Sequence, residues 1–245
     1  MASTPDRTTE AEKPRAYRWY VLGLLTLTSA FSVADRLVFG ILVQDIKAEF
    51  GLSDFELGLL GGLAFSLVYV IAGFPAARLA DRSTRKNIVA AAIGFWSLMT
   101  AACGLATGFW TLFLARTGVG VGEGCSGPSS QSVVADYFTR SELAKAMGFL
   151  TIGASMGTAG GLIIGGQLAE MFNWRWAFVL MGLPGLLLGG VIYFTVREPL
   201  RGRYAPAGTD MAQLPLGQTI RSLLTNRVFM GLALGWAVQI MIGYG

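Results

Sequence analysis

The sequence contains no histidine, and that absence removes a large share of catalytic chemistry. Without imidazole there is no serine–histidine triad, no histidine-ligated zinc or haem and no histidine proton relay. The run GCSGPSS, residues 124–130, offers a candidate nucleophile with no such base to activate it. No enzymatic activity, metal or cofactor is expected. Charge is scarce as well: 14% of residues are Asp, Glu, Lys or Arg, against about 25% in a soluble domain. The four lysines, Lys13, Lys47, Lys86 and Lys145, lie at the ends of apolar runs or between them, which leaves no mid-span amine for a retinal Schiff base. A channel would need polar residues along a continuous pore, and charge within only two spans does not supply that. The two cysteines, Cys103 and Cys125, both fall inside apolar segments, where small-residue packing is a better reading than a disulfide. Net charge is +4 and pI about 9.3. The basic residues are not gathered with aromatics on one face, so no nucleic-acid partner is expected.

What is abundant is apolar surface and glycine. Hydrophobic residues make up 53% of the chain and glycines number 33, with mean hydropathy +0.55. A helix needs about 20 apolar residues to cross about 30 Å of hydrocarbon. Six complete runs qualify, near 19–42, 55–76, 88–106, 109–134, 146–171 and 176–196, and a seventh begins near 228. The fold class expected is an all-α polytopic membrane protein. Its parts would be a polar disordered tail over 1–18, a six-helix bundle over 19–196, a linker over 197–227 with a short surface helix near 219–224, and the start of another span over 228–245. Ser53 to Glu56 and Thr139 to Glu142 match the capping-box pattern, and Pro128 and Pro184 are expected to kink their spans.

Lys and Arg sort by loop. Arg7, Lys13, Arg15 and Arg18 precede the first span; Arg78, Arg82, Arg85 and Lys86 follow the second; Arg140 and Lys145 follow the fourth; five arginines between 197 and 227 follow the sixth. The alternate loops hold only Lys47 and Arg175, which predicts a cytoplasmic N-terminus. Leu79-Ala80-Asp81 closes the second span and Leu168-Ala169-Glu170 the fifth, on opposite sides, as an inverted three-plus-three repeat would require.

Four ionisable residues lie well inside spans: Asp35, Arg36, Arg116 and Glu123. Each costs about 2.5 to 3.5 kcal/mol at a lipid-facing helix centre, so they are expected to face the bundle interior. Arg116 and Glu123, seven apart, share a helix face with Gly120 and Gly127. Asp35 and Arg36 point about 100° apart, so they read as a fork, one arm meeting Arg116 or water while Arg36 reaches toward Glu123. Such a set suits a proton-linked exchange in which Asp35 and Glu123 take up and release protons while Arg36 changes partner. Phe31, Phe39, Phe65 and Tyr69 are candidates to line a path for a lipid tail. At the turn ARLADRSTRK, residues 77–86, a positive-inside anchor accounts for Arg82 and Arg85 but not for Asp81, which suits a charge pair locking the cytoplasmic end. Gly153, Gly157, Gly161 and Gly165 recur every fourth residue and form a ridge for close helix docking, and a surface across which two halves could rock.

These pieces resemble the major facilitator superfamily. ARLADRSTRK is similar to its loop motif GxLaDrxGrk, with Ala77 and Thr84 where glycines are usual; FLARTGVGVGEG, 113–124, resembles its fourth-span motif, with Arg116 as the buried arginine; NWRWAF and VREP are typical of its mid-point. GTAGG, 157–161, lacks the proline of the antiporter motif. Within the superfamily, ADR at 34–36, DRSTRK, FWSLMT, RTGVGVGEG, GLPGLL and VREPLRG resemble the Spinster-like lipid transporters. That resemblance implies two six-helix bundles around a central cavity in a bacterial inner membrane, alternating access, and proton-linked movement of lysophospholipids or phosphorylated sphingoid lipids; a carrier for another small organic substrate, a sugar, organic anion or drug, is the alternative on the same scaffold. The resemblance implies coupling and substrate roles for Asp35, Arg36 and Glu123 and a cytoplasmic gate at Asp81 with Arg85. On this reading the 245 residues hold one bundle and the start of the next, and the full-length protein acts as a monomer in the bilayer.

Overall fold

The computed structural model describes residues 14–204 and 216–244, so the expected disorder of 1–13 and the linker stretch 205–215 lie outside the described residues. Contacts divide the chain into two compact units, up to Tyr204 and from Ala205 onward. In the first unit α1 (Arg15–Phe50) is followed by the short α2 (Asp54–Gly58), a π-helical turn (Leu59–Leu63) and α3 (Ala64–Arg82). Then come α4 (Arg85–Cys103), α5 (Phe109–Tyr137), α6 (Arg140–Met171) and α7 (Trp174–Thr195). No strand occurs among the described residues.

Local chemistry sets the ends. Gly51, at φ 64°, stops α1 in the left-handed conformation that glycine adopts without strain. Ser53 caps α2: its hydroxyl accepts from the Glu56 N–H while the Glu56 carboxylate accepts from the Ser53 N–H. Asn173 caps α7 by accepting from the N–H groups of Arg175 and Trp176. The second expected capping box does not form. Thr139 instead donates its hydroxyl to the Glu142 carboxylate at 3.1 Å, because that carboxylate is turned toward Arg18, 3.5 Å away. Pro75, Pro128 and Pro184 lie inside α3, α5 and α7, and each helix runs on through its proline.

α1 packs on α6 as α3 packs on α5, and α4 lies between α5 and α7. Exchanging the first three spans with the last three maps this pattern onto itself, which is the pairing of a three-plus-three repeat. Among the described residues, five helical stretches are long and apolar enough to cross a membrane: α1, α2 through α3, α4, α6 and α7. α5 falls short because glycines, serines, Arg116 and Glu123 dilute it, and it compensates by burial: more than half of its residues are enclosed. Outward faces are greasy, with Leu67, Val70, Ile71 and Phe74 of α3 and Ile152, Met156, Ile163 and Ile164 of α6 all exposed.

Glycine sets the closest seams. A Cβ at Gly153 would lie 2.4 Å from the Thr26 carbonyl oxygen, at Gly157 2.2 Å from that of Ala30, at Gly161 2.8 Å from the Ala34 Cα, and at Gly165 2.8 Å from the Val38 side chain. The ridge therefore docks on α1 within the first unit. α5 is gripped on two sides, with Gly124 against the Tyr69 carbonyl of α3 and Gly122 against Trp96 of α4.

In the second unit α8 (Leu216–Thr225) contains the expected short helix, and α9 (Arg227–Tyr244) follows after one residue. Asn226 joins them, its side-chain oxygen accepting from the N–H groups of Val228 and Phe229. α8 is amphipathic, with Ile220, Leu223 and Leu224 exposed along it.

Candidate functional site

Ion pairing joins α1 to α5 at mid-bundle. Arg36 donates from Nε to Glu123 Oε2 at 2.7 Å, and its Nη2 lies 2.5 Å from the same oxygen. Ser32, one turn earlier on α1, donates to that oxygen at 2.8 Å. Three donors thus converge on one carboxylate oxygen, while the buried Oε1 has no hydrogen-bond partner. The two partners differ in access: the Glu123 side chain is 0% exposed and that of Arg36 39%. Beside them lies a polar cleft of about 180 Å³ lined by Thr28, Ser29, Ser32, Ser126 and Gln131 together with Glu123.

The other two charges arrange themselves differently from the expected fork. Asp35 is buried and accepts a 2.7 Å hydrogen bond from Thr100 of α4, and its Oδ1 has no partner. It forms no ion pair with Arg116. The Arg116 guanidinium instead lies 4.3 Å from the Phe39 ring centroid and 5.1 Å from that of Phe65, and its buried Nε and Nη1 have no acceptor. The same aromatic belt serves Arg36, which sits over Phe65 at 5.2 Å and Tyr69 at 4.8 Å. Phe39, Phe65 and Tyr69, expected to line a lipid path, are thus cation–π partners of the two arginines; Phe31 is half-buried against the core. Thr100 and Ser32 are the polar residues that sequence reasoning missed, and FWSLMT, already singled out as a motif, ends in Thr100.

A second cluster closes the end of the bundle where α3, α5 and α7 finish and α4 begins. Arg85 pairs with Asp136 of α5, and with Glu198 beyond α7 at 2.7 Å. It also donates to the Ser132 carbonyl and hydroxyl and to the Pro199 carbonyl. Asp81 and Arg85, expected together at a gate, do not pair with each other. Asp81 is exposed and has no ion pair among the described residues, because α3 points it outward while the turn carries Arg85 inward under α5; Arg82 is exposed beside it. Asp136 could have been flagged: it lies in the last turn of α5, where an acid opposes the helix dipole and needs a cation. At the opposite end Arg175 ties α7 to Glu49 of α1 at 2.6 Å and donates to the carbonyls of Gly104 and Ala106. Cys103 and Cys125 are both free.

Comparison with known proteins agrees with this architecture. The sequence profile of the Major Facilitator Superfamily matches residues 24–245. The chain is 30% identical over 91% of its length to a probable galactarate/D-glucarate transporter of Bacillus subtilis, covering 54% of that protein. To a sphingosine-1-phosphate transporter of Danio rerio it is 29% identical over 86% of its length, covering 43% of that protein. The crystal structure of a bacterial homologue of the human lysosomal transporter Spinster, inward-facing and occupied, superposes with TM-score 0.74 at 35% identity, over 79% of this chain and 47% of that one. The chain thus spans about half the length of the curated relatives it matches. An interior charge cluster on α1 and α5, a repeat-symmetric six-span bundle and a profile match over most of its length agree: the chain belongs to the major facilitator superfamily, among relatives that include its Spinster-like members.

Proposed function

We propose that the chain forms the N-terminal half of a proton-coupled secondary transporter that moves an amphipathic, lipid-like anion, a lysophospholipid or a phosphorylated sphingoid, by alternating access. The observation that carries this reading is the unequal Arg36–Glu123 pair: a fully buried carboxylate holding a guanidinium that is 39% exposed beside a polar cleft. While Glu123 is ionised it holds Arg36. When Glu123 takes a proton, Arg36 loses its counter-charge and becomes a charge-assisted donor for an anionic headgroup. Asp35, with one free oxygen, is a second proton carrier, and Arg116 keeps the interior positive enough to admit an anion. The cytoplasmic gate has two parts on this reading: Asp81 and Arg82 on the exposed side of the turn, and Arg85 holding the turn to its own bundle.

A second reading has a specific observation in its favour. The cleft beside Glu123 is lined by hydroxyls and an amide, which suits a small polyhydroxylated organic anion, as does the sugar-acid relative. Uptake by the full chain in proteoliposomes, using labelled lysolipid, phosphorylated sphingoid and sugar acid with and without a pH gradient, separates the two readings. Glu123→Gln is expected to remain folded and to lose stimulation by the gradient. Unchanged pH dependence in that variant would remove Glu123 from the coupling step.

A further inference from the structure

We propose that the groove between α3 and α4, floored by α5, seats one bilayer phospholipid with an anionic headgroup, at a place that shares no residue with the Arg36–Glu123 cleft. The groove measures about 490 Å³, within the roughly 300–1,000 Å³ of ligand sites. Leu79, Ile88, Phe95, Val121 and Cys125 wall most of it, a lining suited to an acyl chain. Leu79 and Phe95 are 53% and 43% exposed, so it opens on the apolar outer face.

One end alone is polar. Ser83, Thr84 and Asn87 form it, at the α3–α4 turn where the helices leave the hydrocarbon. Thr84 precedes α4 without its hydroxyl capping the helix, which leaves that hydroxyl for a ligand. Arg78, Arg82, Arg85 and Lys86 belong to this turn, and Arg201 reaches it to donate to the carbonyls of Ala80 and Ser83. Asp81, Asp136 and Glu198 are the acids set against them. The balance is positive, and an anionic headgroup complements it.

The repeat supplies an internal control. Its counterpart groove, between α6 and α7 over α1, is of similar size at about 460 Å³. Leu27, Phe31, Met156, Ile164 and Leu180 line it, with no polar side chain among its lining residues. Groove shape therefore belongs to the fold, whereas of these two repeat-related grooves the α3–α4 one has the polar end beside the basic turn.

The test is native mass spectrometry of the full chain released from nanodiscs holding equal phosphatidylglycerol and phosphatidylcholine. One retained phosphatidylglycerol is expected, favoured over phosphatidylcholine by about fivefold or more. Asn87→Glu, at an exposed position, should abolish that preference. Ala91→Phe, which fills the groove, should remove the bound lipid, and Gly160→Leu, which fills the other groove where nothing lies within 4 Å of its Cβ, should leave it in place. No retained lipid, as when another part of the chain covers the groove, overturns the proposal. So does equal retention of the two lipids, or a preference that survives Asn87→Glu.

Discussion

Two arginines in this bundle are equally buried, Arg85 at 3% and Arg116 at 2% exposure, and are treated in opposite ways. Arg85 is saturated, bonded to two carboxylates, one hydroxyl and two carbonyls from two parts of the chain, α5 and the stretch after α7. Arg116 has aromatic faces and no acceptor at Nε or Nη1. A saturated buried cation fixes one arrangement. An unsaturated one leaves room for a second, because a buried donor without a partner gains by finding one. The end cluster thus reads as a fastening, and the mid-bundle cluster as the part that can change.

Breaking the fastening should give the largest effect on stability. Asp136→Ala leaves Arg85 partly uncompensated and releases the Gly202 N–H that Asp136 also accepts. Loss of one partner of a buried pair costs about 3–5 kcal/mol, so the melting temperature of the purified protein should fall by on the order of 10 °C. Thr100→Val tests the looser cluster by removing the one hydrogen bond found on Asp35. Its expected cost is about 1–3 kcal/mol, measured in the same way, with pH-gradient-driven uptake altered more than stability. A cost equal to that of Asp136→Ala would erase the distinction between the clusters. Lys47→Ala sets the floor: its partner Asp54 has an 88% exposed side chain, and such surface pairs contribute at most about 1 kcal/mol.

Much of this was legible in the chain. Hydropathy located the six long helices of the first unit to within a few turns, five of them apolar enough to cross a membrane, and buried charge singled out Asp35, Arg36, Arg116 and Glu123, because ionisable groups within apolar runs are costly wherever they occur. The Ser53 cap was readable because both partners lie three residues apart. Partner choice across helices was not readable. Asp81 and Arg85 were read together as gate residues of one turn, and the acids that Arg85 meets, 51 and 113 residues on, were not foreseen. The rotation of each helix decides which side chain reaches another; the ridge at Gly153 to Gly165 shows in the sequence as a docking face, but not which helix it docks on. For the same reason it was not readable that Phe39, Phe65 and Tyr69 are also the faces on which the guanidiniums rest, Tyr69 lining the Glu123 cleft as well.

The α1–α6 seam has a mechanical consequence. Thr26, Ala30, Ala34 and Val38 notch against Gly153, Gly157, Gly161 and Gly165 like teeth cut at the same pitch, about 6 Å per tooth at 1.5 Å rise per residue. Creep by a single residue would jam larger side chains into backbone, so the two rods cannot slip lengthwise in small increments. Displacement of these two helices must therefore turn them together as one block.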